Sequence, residues 1–479
     1  MNIDAKEIGR ILDVQRAAFR TEGGASAAVR RDRVSRMAVA LLGNFDRIAN
    51  ALSDDYGHRP PALTKAFEAL GWSDEVLHVL KDLDTWMQPQ NVPGGFILPQ
   101  AKGVIGIIGA WNFPVTLTFE PAMSALAAGN RVMLNYSEFH PRTGNLLADI
   151  FKDAFAEDEV AFINGDLRTA QAFSTLRFDH LFFTGSPKVG SIVSAEAGKN
   201  LVPGTMELGG KNPVVVAPSA DMALATRRIA ATRMLNSGQI CLCPDYVFVP
   251  RKELDTFVQG IVREWKQFYP TYLANDAVVS IVNGSNYDRV VGLVTDAASR
   301  GARVITVAPD SDAGHLPDPA SRRIAPTLLL DVPESAKVAH EEVFGPVLSV
   351  YVYDDSCEPI AYINQRPSPL AAYWYGDDDE AFRQFLAHTA SGGVTRNDAL
   401  VHAMLPGAPF GGIGNSGSGA YHGRAGFDTF THYRAVANAD RAEGLADALV
   451  DGSAITPEAV QGIDAAIEKA RGEFKKYLR

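Results

Sequence analysis

From Gly103 onward the chain alternates short apolar runs with stretches of helical rhythm, and this alternation limits its fold more than any other feature. "GVIGIIG" is a strand-type run, followed by the helical "TFEPAMSALAAG" and a second strand, "NRVMLN". A helix near "PRTGNLLADIFKDAF", the strand "EVAFING", and the strand "DHLFFTG" opening into "SPKVGSIVSAEAG" continue the pattern. Strands alternating with helices of this length build βαβ units and a parallel sheet. A second α/β region follows Lys211, with the strand "NPVVVAP", a helix over "DMALATRRIAATRMLNSG", and strand-like runs through "VLSVYVYDD" and "SGGVTRND".

The flanks differ. Residues 27–55 place Val34, Met37, Leu41, Phe45, Ile48 and Leu52 at steps of three and four, on one helical face. "EALGWSDEVLHVLKDLDTWM" reads as another helix, and the Pro and Gly of "QPQNVPGGFILPQ" mark a loop or β-excursion. The tail after Ala435 is rich in alanine and charge and helical in pattern.

At 479 residues the chain exceeds one compact core, so two or three domains are expected. A net charge of −11 gives it no general electrostatic reason to seek nucleic acid or an anionic membrane. The start lacks the apolar segment of a secretory signal, and no apolar run is long enough to span a bilayer. Three cysteines form no disulfide framework, which points to a reducing compartment, the cytoplasm. Cys241 and Cys243 stand two apart, with no second cysteine pair and no nearby histidine, so a zinc site is not indicated.

Four short stretches offer chemistry. Gly185, Ser186 and Gly190 in "FFTGSPKVG" fall at a strand-to-helix junction, where free N–H groups and the helix dipole favour an anion; an ordinary turn explains the glycines equally. Glu207 in "TMELGGKNP" is a solvated strand residue or, beside glycines that permit close approach, a general base. Asn112 in "GAWNFP" is a turn residue or an amide aimed at an oxyanion. Cys241 in "SGQICLCPD" is a small buried hydrophobe or a nucleophile.

Together these stretches resemble the NAD(P)-dependent aldehyde dehydrogenase superfamily. "GAWNFP", "FFTGSPKVG", "MELGGKNP", "NSGQICLCP", "EEVFGPVLSV" and "APFGGIGNSGSGAYHG" occur in that family's order, from about residue 10 to about residue 434. "GNSGSGAYHGRAGFDTFTHYR" looks like the fatty and aromatic aldehyde branch, class 3. "VRRDRV", "YGHRP" and "GQICLCPDYVFVP" look like the bacterial coniferyl aldehyde dehydrogenases within it. The resemblance implies an α/β fold with a Rossmann-type cofactor domain, an α/β catalytic domain and a small β oligomerisation segment. It assigns residues 1–87 and 101–210 to NAD binding, 211–418 to catalysis, 88–100 and 419–434 to oligomerisation, and 435–479 to a helical extension.

The resemblance also implies roles. Cys241 would be the nucleophile, Asn112 with the Cys241 N–H the oxyanion donors, and Glu207 the base that activates water for thioester hydrolysis. Ile108, Trp111, Gly185, Ser186, Gly190, Glu342 and Phe344 would line the NAD site. Cys243 stands where many relatives have alanine and reads as packing, since a disulfide between residues two apart is strained. One departure concerns the adenosine ribose. Where the family has Lys-Pro-Ser-Glu, this chain has Asn135, Tyr136, Ser137 and Glu138. Loss of that lysine leans the cofactor towards NAD, with NADP still open, and weakens a charge-assisted hydrogen bond of about 1.5–3 kcal/mol. The resemblance implies a homodimer acting on a small aldehyde, coniferaldehyde or a medium-chain aliphatic one. The rivals are an acylating relative that passes the thioester to coenzyme A, a retired enzyme kept for binding, and a cofactor-independent thiol esterase.

Overall fold

A computed structural model describes residues 4–438 and 446–478 of the chain; residues 1–3, 439–445 and 479 lie outside the described residues. One compact unit comprises Met1–Met87 with Gln100–His432, and a second comprises Gln88–Pro99 with Tyr433–Arg479.

The first unit holds two sheets. In the six-stranded sheet the spatial order is Gly417–Ser418, Gly204–Leu208, His180–Gly185, Val104–Ile108, Arg131–Asn135, Val160–Ile163. All neighbours run parallel except the short Gly417–Ser418 edge. The chain starts at Val104–Ile108, builds outward through Arg131–Asn135 and Val160–Ile163, then returns to place His180–Gly185 on the opposite side. Strand order therefore reverses between Val104–Ile108 and His180–Gly185, and the crevice beyond the carboxyl ends at such a point is where ligands bind in sheets of this type. The sequence made these strands near-continuous apolar runs because both faces are covered; every residue of Val104–Ile108 and Arg131–Asn135 is buried.

The seven-stranded sheet has the order Arg303–Thr306, Thr327–Leu330, Val347–Tyr353, Pro244–Pro250, Asn212–Val216, Ala371–Tyr375, Gly393–Arg396. It too is parallel but for its first strand. Only Gly209, Gly210 and Lys211 separate the last parallel strand of one sheet from a central strand of the other. The stretch "ELGGKN" is thus the seam between the sheets.

In the second unit Gln90–Val92 and Gly95–Ala101 form an antiparallel hairpin, and Thr431–Ala437 completes a three-stranded sheet. That last strand runs three residues past the boundary at 434 that the sequence suggested. The tail contributes the helices Asp447–Val450 and Pro457–Lys475.

Three helical expectations are corrected. The face spanning residues 27–55 belongs to two helices, Ala27–Gly43 and Phe45–Tyr56, broken at Asn44, whose amide donates back to the Ala40 carbonyl at 2.9 Å. Both still bury the predicted apolar residues. "EALGWSDEVLHVLKDLDTWM" is likewise split, with Pro61–Glu68 ending and Ser73–Trp86 beginning around Gly71. The Trp72 indole donates to the Glu68 carbonyl at 2.7 Å across this join. The helix expected to reach Gly238 stops at Met234, because Asn236, Ser237 and Gly238 all take left-handed backbone angles.

Candidate active site

Cys241 follows that left-handed run, at φ of 50°, 53° and 75° for Asn236, Ser237 and Gly238. Non-glycine residues pay for such angles and hold them only where surroundings insist. Here they do. The Ser237 hydroxyl donates to the Val279 carbonyl at 2.6 Å, and the Gln239 amide donates to Asn236 and Ser280 carbonyls at 2.9 and 3.2 Å. A Cβ at Gly238 would lie 2.3 Å from the Gly345 carbonyl oxygen, so only glycine fits.

The sequence-predicted residues converge on this loop. Asn112 is buried at 3% exposure, and its amide donates to the Gln239 carbonyl at 3.2 Å, two residues before the cysteine. Glu207 is buried near the end of its strand, and neither carboxylate oxygen has a hydrogen-bond partner among the described residues. Burial alone pushes its pKa well above the ordinary carboxylate range. Glu342 reaches back to the seam: a Cβ on Gly209 would come within 2.5 and 2.9 Å of its two oxygens. Burial first, then the charge of Asp245, raises Glu342 to about 8. The Cys241 thiol is half-buried and pushed up to about 12, by desolvation first and then by the charges of Glu342 and Glu207. Thiol and two carboxyls therefore form one electrostatically coupled group.

The rest fall at the crevice. Ile108, Asn135 and Phe183 stand side by side in register, with Gly185 two residues beyond Phe183. Asn135 is only 3% exposed, and its amide makes no hydrogen bond among the described residues. Trp111 meets the Phe344 ring edge-on at 5.2 Å; Phe344 itself sits at a φ of 46°. Ser186 uses its hydroxyl to cap the helix Pro187–Lys199, accepting from the Val189 N–H at 3.3 Å. Gly190 is not in the turn. It lies in the first turns of that helix, where a Cβ would strike the Leu208 side chain at 2.5 Å, so it serves close packing. Glu138 is exposed and apart from the thiol group. Tyr136 points into the core against Phe162, its hydroxyl without a partner and its pKa driven far up by burial. A strand-order reversal with a buried amide beside it, and a helix starting at the next strand's end, fit a dinucleotide.

Sequence reasoning missed the residues that hold this group together. Lys211 pairs with Asp245 and donates to the Val338 and Glu341 carbonyls at 2.8 and 3.1 Å. Asn212 donates to the Cys241 and Cys243 carbonyls at 2.7 and 3.0 Å. Arg289 donates to the Glu342 and Val343 carbonyls at 3.0 and 2.7 Å, and buried Arg233 spans the Pro244 and Gly345 carbonyls. Under Asn112 lies a fully buried ion pair, Arg59–Glu68, at 2.8 Å. Arg59 and the Tyr56 hydroxyl each donate to the Asn112 carbonyl at 3.2 Å, and Glu68 accepts from the Val115 N–H at 2.7 Å. "YGHRP" and the Lys-Asn after the paired glycines were the only sequence signals for them.

The chain matches the aldehyde dehydrogenase family over residues 1–436. The chain belongs to the aldehyde dehydrogenase family. It is an NAD(P)-dependent enzyme that oxidises aldehydes. Among curated relatives, a probable coniferyl aldehyde dehydrogenase of Caulobacter vibrioides is 42% identical over 89% of this chain and 90% of its own. The coniferyl aldehyde dehydrogenase of a Pseudomonas species is 40% identical over 91% of each. The substrate-bound structure of Staphylococcus aureus AldH superposes with a TM-score of 0.85 at 31% identity, covering 93% of this enzyme and 96% of that chain. Among the described residues no helix is long and apolar enough to cross a membrane, and no cluster of His, Cys, Asp and Glu is placed to hold a metal.

Breaking the pair beneath Asn112 tests the scaffold. Arg59→Met leaves Glu68 buried without its partner, and a loss of about 3–5 kcal/mol in unfolding free energy is expected. Urea unfolding followed by fluorescence measures it, and a change within error would show that the pair carries no structural load.

Proposed function

We propose that the enzyme oxidises aromatic or medium-chain aldehydes, coniferaldehyde among them, to carboxylic acids, with Cys241 as nucleophile and Glu207 as base. The Asn112 amide placed on the Gln239 carbonyl two residues before Cys241, together with a buried Glu207 whose carboxyl has no hydrogen-bond partner among the described residues, supports this reading. The relatives named for coniferyl aldehyde support the substrate class.

The chemistry follows from what each group can do. Cys241 passes its proton to water, and its sulfur attacks the carbonyl carbon, forming the C–S bond while the carbonyl pair moves to oxygen. The Asn112 amide and the Cys241 backbone N–H hold that oxyanion. When bound, the nicotinamide supplies the hydride acceptor. The carbon left on sulfur is at the thioester level. Glu207 then takes a proton from water, the hydroxide adds to the thioester carbon, and sulfur departs with its electron pair, releasing the acid. Glu207 has no hydrogen-bond partner to give up before it meets that water.

The cofactor would lie across the crevice at the strand-order reversal. Asn135 and Glu138 would take the adenosine ribose, the helix start at Ser186 the pyrophosphate, and Glu342 with Phe344 the nicotinamide side, next to Trp111 and Ile108. With asparagine at 135 no cation waits there for a 2′-phosphate, so NAD is preferred. A relative from Rattus norvegicus, 36% identical, is named dimeric and NADP-preferring. We take this enzyme as a homodimer too, joined through the segments 88–100 and 419–434, and as cytoplasmic.

Three variants test the assignment. Cys241→Ala should abolish aldehyde-dependent nicotinamide reduction while NAD still binds by calorimetry; retained turnover would assign the nucleophile elsewhere. Glu207→Gln should give one burst of NADH per site and then nearly stop. In the parent enzyme the steady state should rise with pH through a value well above the usual carboxylate range, because the base works only once deprotonated; in the variant that limb should vanish. An unchanged steady state would remove Glu207 from the mechanism. Asn135→Lys should raise kcat/KM for NADP by roughly ten- to a hundredfold, the worth of a charge-assisted hydrogen bond. No gain, by absorbance at fixed coniferaldehyde, would leave cofactor choice to other residues.

A further inference from the structure

We propose that Glu120 and His422 form the far end of the aldehyde pocket and select substrates that carry a phenolic hydroxyl there. The proposal rests on the roles given above to Cys241 and Asn112. The helix Thr116–Ala127 begins four residues after Asn112. The Leu117 N–H donates to the Phe113 carbonyl at 2.9 Å, so Phe113 already shares the helical frame. Phe113, Leu117 and Glu120 stand at steps of four and three, on one face. Phe113 and Leu117 are half-buried, which leaves this face partly open, whereas Glu120 is only 5% exposed. A carboxylate buried in that way needs a partner. It is His422, whose Nε2 lies 3.1 Å from Glu120 Oε1.

This pair stands close to the reacting groups. Gly417 lies opposite Glu207 in the sheet, and Tyr421 follows four residues later. Burial, and then the charges of Glu120, Glu207 and Cys241, push the Tyr421 hydroxyl far up, so that hydroxyl stands among all three. Phe410 stacks on the His422 ring at 5.2 Å and Tyr421 meets it edge-on at 4.3 Å, which gives the pair aromatic walls. From Phe113 to Glu120 the helix rises about 10 Å, the reach of a benzene ring with a three-carbon aldehyde arm. At the far end two buried atoms have no hydrogen-bond partner among the described residues. One is His422 Nε2, at ion-pair distance from Glu120 but without the direction of a hydrogen bond. The other is Glu75 Oε1, 2.9 Å from where a Cβ on Gly423 would stand. Burial opposes a charge on His422, but Glu120 and Glu75 outweigh it and raise its pKa, so Nε2 carries a proton to give. A phenol answers both needs. Its O–H donates to the Glu120 carboxylate, and its oxygen accepts from the His422 Nε2–H. Two carboxyls against one imidazole turn away an aldehyde with an anionic tail.

The test measures kcat/KM with NAD at neutral pH for 4-hydroxycinnamaldehyde, 4-methoxycinnamaldehyde and cinnamaldehyde. The methoxy compound matches the hydroxylated one electronically but has no proton to donate. The parent enzyme should prefer the hydroxylated aldehyde over both others by about ten- to a hundredfold, the worth of a charge-assisted hydrogen bond. Glu120→Met, which keeps the length and removes the acceptor, should bring both ratios to about one. Glu120→Gln, of the same shape but uncharged, should lower them by about fivefold. Each ratio is independent of how much of a variant folds, and the parent's own ratios need no variant. Ratios near one in the parent overturn the proposal, as do ratios that neither variant changes. Cinnamaldehyde as good as the hydroxylated aldehyde, with only the methoxy compound poor, would mark a tight wall and equally overturn it. Equal oxidation of all three leaves the roles of Cys241 and Asn112 standing and removes this one alone. No turnover with any of them, or with octanal, removes the reading beneath the proposal and the proposal with it.

Discussion

One ammonium group ties together the segments of the candidate site. Lys211 sits at the seam between the two sheets, and its three protons go to Asp245 and to the Val338 and Glu341 carbonyls. Asp245, held in turn by the Val343 N–H at 2.8 Å, leads into the strand that follows the cysteine loop. One charged side chain thus sets the spacing between the glycines after Glu207, the loop carrying Glu342, and the segment carrying Cys241. Such a group repays desolvation only when all its donors are met, and here they are. Asn212, the next residue, fixes the cysteine loop through two carbonyls while accepting from the Ala371 N–H at 2.9 Å.

Around this anchor the Glu207 carboxyl has no hydrogen-bond partner among the described residues, while the backbone of neighbouring loops is tied down repeatedly. The Asn112 carbonyl accepts from Tyr56, Arg59 and Asn236, and the Trp111 carbonyl accepts from Tyr56 and from His140 at 2.7 Å. Burial holds His140 down to about 4, so it stays neutral and its Nε2–H serves as a fixed donor. A rigid backbone fixes the position of the side chains it carries, which is how a site aims its groups.

Much of this was legible in the residues. Continuous apolar runs marked the buried parallel strands, because two-sided burial removes alternation. The family motifs marked Cys241, Glu207, Asn112 and Glu342, and the structure brings those four to one loop cluster. What stayed hidden was long-range. Arg59 and Glu68 are nine residues apart in sequence, yet their joint meaning lies in the Asn112 carbonyl and Val115 N–H, far along the chain. Arg233 and Arg289 act on carbonyls of distant loops, and a side chain bonding to backbone leaves no trace in the sequence of its partner. The helix breaks at Asn44 and Gly71 were missed because apolar spacing continued across them; the core face persists although the helix does not. Gly190 stands at the strand-to-helix junction the sequence marked, but its packing against Leu208 had no sign there.

The raised pKa of Cys241 bears on the life of the enzyme between turnovers. Peroxide and stray electrophiles attack the thiolate, not the thiol. Burial first, and then the two neighbouring carboxyls, push the half-buried Cys241 thiol up and favour its protonated form. The protonated sulfur is the poorer target for both, so the same surroundings that raise the thiol also shield it while no substrate is bound.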